Sequence, residues 1–196
     1  NKGIIKNCAV DVTIDNATIS RDLTAAQYTG GIAGINEESG SIINCSVFGK
    51  VSGLKYTGGI TGQNKGSIVG CNNDAEVNTD VKDKKIKLRE IKERDGLKKL
   101  VSANKVYASE NTGGIAGTND GYIIDCNNTG SVGTKDNGYN VGGIAGRSNG
   151  YISGCNNMGR VRGSNNIGGV AGQLEPCISI SYGKDILEKP REDIDE

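Results

Sequence analysis

Residues 112–133 read TGGIAGTNDGYIIDCNNTGSVG, a glycine-crowded stretch with one cysteine in its middle and no histidine. Its meaning comes from recurrence. A Gly-Gly pair followed by an aliphatic residue occurs at Gly30-Gly31-Ile32, Gly58-Gly59-Ile60, Gly113-Gly114-Ile115, Gly142-Gly143-Ile144 and Gly168-Gly169-Val170. The intervals are 28, 55, 29 and 26 residues; the long one, close to twice the others, reads as hiding about one missing signature. In four copies a cysteine follows the second glycine, Cys45 after 14 residues and Cys71, Cys126 and Cys155 after 12. Cys8 belongs to a partial copy at the front and Cys177 to a degenerate one at the back. A fixed period of this size points to a solenoid, in which each repeat packs only on its neighbours.

The repeats are cut by glycine at short intervals, which disfavours helix. Their apolar residues are mostly Ile and Val in short alternating runs, which favours strands. Steps of two from the cysteine select Cys45, Val47, Gly49, Val51; Cys71, Asn73, Ala75, Val77; Cys126, Asn128, Gly130, Val132; and Cys155, Asn157, Gly159, Val161. The front copy contributes Cys8, Val10 and Val12. These sets are small or apolar, as an inward face requires. The opposite parity, such as Ser46, Phe48, Lys50 or Asn156, Met158, Arg160, reads as a solvent face. The expected fold is all-β: a parallel β-solenoid (β-helix) with glycine-rich turns, its rungs about 4.8 Å apart. Asn73, Asn128 and Asn157 are placed to form an internal amide ladder.

Six cysteines invite a disulfide framework, but five share one repeat position and form a column of small buried groups instead. Stacked side chains point the same way, which is poor geometry for a bridge. A column does not converge on a metal, and no Cys-x-x-Cys is present. With no histidine in the chain, Ser-His-Asp, Cys-His and His-ligated metal chemistry are all excluded. No cofactor is implied.

Lys+Arg and Asp+Glu balance at 23 each, so no net charge points to nucleic acid or an anionic membrane. No apolar run is long enough for direct membrane insertion. The chain opens inside a pattern, at NKGIIKNCAV, and reads as a piece of a longer protein. The solenoid is expected over residues 1–183, interrupted by a charged, partly helical insertion at 79–109. Residues 80–99 hold nine Lys/Arg against five Asp/Glu, and helical spacing favours a helix near 89–103. A smaller interruption over 11–29 reads as an enlarged turn or a hairpin. The acidic end, 184–196, reads as a linker or C-terminal boundary.

Some enzymes on parallel solenoids cleave polysaccharides with acidic residues on one outer face. Asp74 and Glu76 share one outer face, but the adjacent copies carry no matching acids. Asp120 precedes a glycine corner, where turn chemistry explains it. GGIAGTN lacks the Lys-Ser/Thr of a phosphate-binding loop. Tyr122 and Tyr151 occupy equivalent positions and form a short aromatic strip, the candidate ligand contact, with edge shielding as the competing explanation.

The segments YTGGIAGINEESGSIINCSVFGKVSG, YTGGITGQNKGSIVGCNNDAEV, NTGGIAGTNDGYIIDCNNTGSVG and NVGGIAGRSNGYISGCNNMGRVRG resemble the GLUG-motif repeats of bacterial surface proteins. The resemblance rests on the recurring Gly-hydrophobic-x-Gly core and on the Cys-Asn segment at Cys126 and Cys155. It covers most of residues 3–180 outside the insertion. It implies an accessory region of a secreted or wall-attached protein, such as an adhesin or an immunoglobulin-cleaving metallopeptidase whose zinc motif lies elsewhere. It transfers no catalytic or ligand residue. The expected function is a noncatalytic structural or adhesive module, with a host or cell-wall glycan or a surface protein as partner. The alternatives are a carbohydrate-binding module and a carbohydrate-active enzyme on a parallel β-helix.

Overall fold

The computed structural model describes residues 1–17, 26–81, 109–135 and 137–176, and its regular elements there are 21 strands. Each turn of the chain visits four parallel sheets in the same order. The first sheet stacks Gln27–Gly30, Lys55–Gly58, Glu110–Gly113, Tyr139–Gly142 and Asn165–Gly168. After the Gly-Gly corner, the second stacks Ala33–Asn36, Thr61–Asn64, Ala116–Asn119, Ala145–Ser148 and Ala171–Leu174. The third carries Ile4–Lys6, Ser41–Ile43, Ser67–Val69, Tyr122–Ile124 and Tyr151–Ser153. The fourth holds the segments after each cysteine: Ala9–Asn16, Ser46–Gly53, Asn72–Asn73, Asn127–Asn128 and Asn156–Asn157, with Glu76–Val77 also paired to Ser46–Gly53. Every strand pairing is parallel and places equivalent repeat positions side by side, the architecture of a β-solenoid.

Residue spacing misleads at one point. The 55-residue interval contains no extra rung in the stack, because Lys55–Gly58 lies directly against Glu110–Gly113. Interval length counts residues, whereas register counts strands. Asn78 closes the seam: its Nδ2 donates to Thr112 Oγ1 at 2.9 Å and its Oδ1 accepts from the Gly53 N–H at 2.8 Å. The helix expected near 89–103 and the boundary at 184–196 lie outside the described residues. Of the 11–29 interruption, the part through Asn16 is strand, parallel to Ser46–Gly53.

The inward parity forms the core. Cys45, Val47, Val51, Cys71, Asn73, Ala75, Val77, Cys126, Asn128 and Val132 are buried. Isoleucine columns complete it, with Ile42, Ile68 and Ile123 from the third sheet and Ile60, Ile115 and Ile144 from the Gly-Gly corners. Each such side chain contributes roughly 1.5–3 kcal/mol by burial. Two members of the expected inner set are exposed. Gly49 sits outside at a left-handed φ of 88°, so strict alternation lapses there. Cys8 lies on the rung at the outer end of the described stack, where no other described strand packs beyond it.

The corners explain the residue types. A Cβ on Gly59 or Gly114 would run into the Asn73 or Asn128 amide and into the next rung's glycine carbonyl. The residue before each cysteine turns the chain from the third sheet to the fourth in the left-handed region. It is Asn7, Asn44, Gly70, Asp125 or Gly154, with φ between 50° and 63°. These are the residue types that enter that region at least cost.

Buried asparagines are hydrogen bonded from rung to rung. Asn73 Nδ2 donates to Asn128 Oδ1 at 2.7 Å, and Asn128 Nδ2 to Asn157 Oδ1 at 2.8 Å. Each of the three amides also donates to its own rung's carbonyl two residues on. The ladder ends where Val47 replaces asparagine, and there Asn73 Oδ1 has no partner. A second ladder runs along the second sheet. Asn36 donates to Asn64 and Asn64 to Asn119, each at 2.8 Å, and Asn119 to Ser148 Oγ at 3.1 Å.

Asn128→Ala removes two inter-rung bonds and orphans the Gly130 carbonyl, and is expected to cost roughly 2–4 kcal/mol. Asn127→Ala, which breaks only the outer ladder to Asn72 and Asn156, is expected to cost less than about 1 kcal/mol. Urea denaturation of both variants checks the ranking, and equal losses contradict it.

Candidate functional site

Tyr122 and Tyr151 start equivalent strands of the third sheet and are direct register partners. Their rings are 57% and 56% exposed, with centroids 6.2 Å apart and planes tilted by 56°. Among the described residues the strip is two rings long. On the rungs before it, the same column carries Ser41 and Ser67, whose hydroxyls hydrogen bond at 3.0 Å. Two exposed tilted rings offer apolar faces to a ligand but no flat platform.

The acidic candidates are dispersed. Asp74 accepts a hydrogen bond from Thr129 Oγ1, and Glu76 accepts one from Thr79 Oγ1 at 2.8 Å. Glu76 lies in register with Lys50, which pairs with Asp80 at 2.8 Å. Asp120 accepts from Gln63 Nε2 at 3.0 Å and faces Arg147 at 3.8 Å. Asp125 occupies a left-handed corner at φ 51°. Asp80, by direct pairing, and then Glu76 and Asp15 hold the Lys50 ammonium above its ordinary value, so these carboxylates gather around a cation. Among the described residues no cluster of three or more His, Cys, Asp or Glu side chains is placed to hold a metal ion. No helix among them is long and apolar enough to cross a membrane.

A trough of about 340 Å³, absent from the sequence reading, runs between the first and second sheets. Its walls include Tyr28, Tyr56, Asn111, Gln63, Thr118 and Arg147. The first three share one position of the first sheet, and the last three share one position of the second. The available signal was YTGG, which stands at both Tyr28 and Tyr56. What hid the trough is that its two walls come from different strands of the repeat.

The thiols form a column of inter-rung contacts. The backbone N–H groups of Cys8, Cys45, Cys71 and Cys126 each point at the next rung's sulfur, N to Sγ 3.4 Å in every case. The five described cysteines are free thiols. Burial pushes the Cys45 thiol up from its ordinary value, against the lowering effect of the Cys8 backbone contact. Hydrogen bonds with Cys155 and Cys71, together with burial, push Cys126 up. The same contact with Cys126 draws Cys71 the other way, but Cys71 is fully buried with no cation beside it, so the neutral thiol is the favoured form. The contact with Cys126 draws the half-buried Cys155 down to about 7 against the raising effect of burial, so the thiols of the column do not all shift the same way.

Compared with known families, residues 25–52 match the family described as the GLUG motif. That segment is one full circuit of the four sheets, from Gln27–Gly30 to the Ser46–Gly53 strand. No curated protein and no solved structure matches the chain.

Alkylation with iodoacetamide followed by site-resolved mass spectrometry is expected to modify Cys8 in the native protein. Cys45, Cys71 and Cys126 should react only after unfolding, and rapid native labelling of any of the three contradicts the column. Thiols raised in the folded state contribute stability that is complete below the unfolded thiol value, near 9.0, and lost as pH climbs past it. The urea midpoint should therefore fall between pH 7 and pH 10, and fall less in Cys126→Ala.

Proposed function

From the GLUG-motif match over residues 25–52 and the stacked repeats that continue it, we propose that this chain serves as a noncatalytic structural or adhesive module of a bacterial surface or secreted protein. The observation that carries this reading is the continuous rung-to-rung register through all four sheets. Such a stack is a stiff body whose length grows by about 4.8 Å per rung. Its outer faces are long and each repeats one chemistry position along the axis. These are the properties of a spacer that holds other parts of a protein away from a surface while offering faces for contact. The dispersed carboxylates support a noncatalytic role, and the GLUG association supports an extracellular setting. Free cysteines are uncommon outside cells; here most are withdrawn into the core.

A second reading, carbohydrate binding, is favoured by one specific observation. Tyr122 and Tyr151 place two large exposed rings side by side on a solenoid face. Sugars present apolar faces that pack on such rings, and a cell-wall or host glycan is the partner chemistry that fits.

The test is binding of the purified monomeric chain to an array of host-type and bacterial cell-wall oligosaccharides. An adhesive role predicts a reproducible hit that free oligosaccharide competes away. A role for the strip predicts that Tyr122→Ala/Tyr151→Ala weakens that hit at least tenfold without altering Tm. An undiminished hit removes the strip, and a blank array on folded protein leaves the spacer reading alone.

A further inference from the structure

We propose that the trough between the first and second sheets is a binding site for a neutral, hydroxyl-rich saccharide chain, distinct from the Tyr122–Tyr151 strip. The inference rests on the adhesive reading and gives it a second, better-formed site. Its first support is a pair of residues held where they do not belong. Tyr28 and Tyr56 adopt left-handed backbone conformations, φ 57° and 56°. Bulky side chains are disfavoured there, whereas asparagine tolerates the region. The later rungs use asparagine at the same position, Asn111, Asn140 and Asn166, all left-handed, with Asn166 donating to Asn140 and Asn140 to Asn111 in side-chain hydrogen bonds of 2.8 Å. The fold therefore accepts the cheaper residue at this corner, yet two rungs keep tyrosine against the conformational cost. Outliers of this kind collect at binding sites.

The second support is the surface that these rings adjoin. Tyr28 and Tyr56 stack with centroids 5.0 Å apart and planes within 13°. The next residue in the column is the shorter Asn111, so the stack stops at Tyr56 and the trough lies beside the step. On its floor Thr118 is only 2% exposed, and its Oγ1 has no hydrogen-bond partner among the described residues. The buried Thr57 and Thr61 hydroxyls are unpartnered as well, but of the three only Thr118 lines the trough. Arg147 is fixed beside it, with Nη1 held by Glu175 at 3.2 Å and Nη2 facing Asp120 at 3.8 Å, while its Nε is also unpartnered.

The third support is charge. The lining carries Arg147 against Glu110 and Glu175, and Lys55 pairs with Glu110 from the side at 3.4 Å. A polyanionic glycan would meet a balanced to slightly acidic wall. A neutral sugar would meet a ring edge and face, an unpartnered hydroxyl, and amide and guanidinium groups that match paired sugar hydroxyls. The volume, about 340 Å³, falls within the range of small-ligand sites, roughly 300–1,000 Å³.

The test compares the full chain with Thr118→Val, Tyr56→Asn and Tyr122→Ala/Tyr151→Ala on an array of neutral and acidic oligosaccharides, with Tm measured for each. Thr118→Val removes a hydroxyl that makes no bond in the fold, so Tm should hold or rise. Tyr56→Asn installs the residue that the next rung already uses. The expected result is a neutral oligosaccharide whose binding weakens at least tenfold in both trough variants and is unchanged in the tyrosine-strip variant. The inference is overturned if only acidic oligosaccharides bind, or if both trough variants bind like the parent chain. Binding lost only in the strip variant keeps the adhesive reading and sinks the trough. A blank array with folded protein sinks both sites and leaves the spacer.

Discussion

A single rung of this chain has nowhere to bury its inner face except against another rung of the same kind. That constraint governs the rest of the structure. Parallel stacking in register places cysteine on cysteine, isoleucine on isoleucine and asparagine on asparagine. Apolar columns accept this arrangement for any residue of suitable size. Polar columns accept it only when the side chain both donates and accepts along the axis, which the amide does. Asparagine can therefore stand in the core at Asn73 and Asn128 and again at Asn64 and Asn119, each bonded to its own equivalent one rung away. Where a rung breaks the pattern, as Val47 does, the penalty appears at once as an unpartnered amide oxygen on Asn73.

Close stacking also sets the corners. The second-position glycines Gly59, Gly114 and Gly143 lie against the inner amides of Asn73, Asn128 and Asn157, and no side chain fits between. The turn into the fourth sheet needs left-handed backbone at one residue per rung, and Asn, Asp and Gly supply it in turn. Glycine abundance and a helix-poor sequence are thus two consequences of one packing requirement. Inner positions have little freedom, whereas outer positions vary from rung to rung, and variation in recognition falls there.

The outer faces differ in what they offer. The strip of Tyr122 and Tyr151 is exposed and tilted, a place where apolar area is simply available. The trough beside Tyr56 is a half-open recess, with a strained backbone, a partnerless hydroxyl and a guanidinium between carboxylates. The walls of the trough come from columns on two adjacent sheets, so that one residue per rung contributes from each wall. The scattered carboxylates follow the same geometry in reverse, since an isolated acid on one rung gains no partner unless its equivalents on neighbouring rungs are also acidic.

The sequence by itself determined the repeat, the parallel all-β architecture, the inward parity after each cysteine and the Asn73–Asn128–Asn157 ladder. Those features are legible because stacking acts between identical positions, and a period in sequence is then a column in space. It also showed that Tyr122 and Tyr151 would be neighbours, for the same reason. The tertiary structure decided what depends on different positions meeting. It placed Lys55–Gly58 directly against Glu110–Gly113, a pairing that residue spacing had obscured with a supposed extra copy. It turned Gly49 outward and left Cys8 exposed at the end of the described stack. It joined the Asn36–Asn64–Asn119 ladder and brought Tyr56 of one sheet beside Thr118 of the next. Contacts between columns arise from the angle at which the chain turns a corner, and that angle is set by packing across the whole rung rather than by any local run of residues.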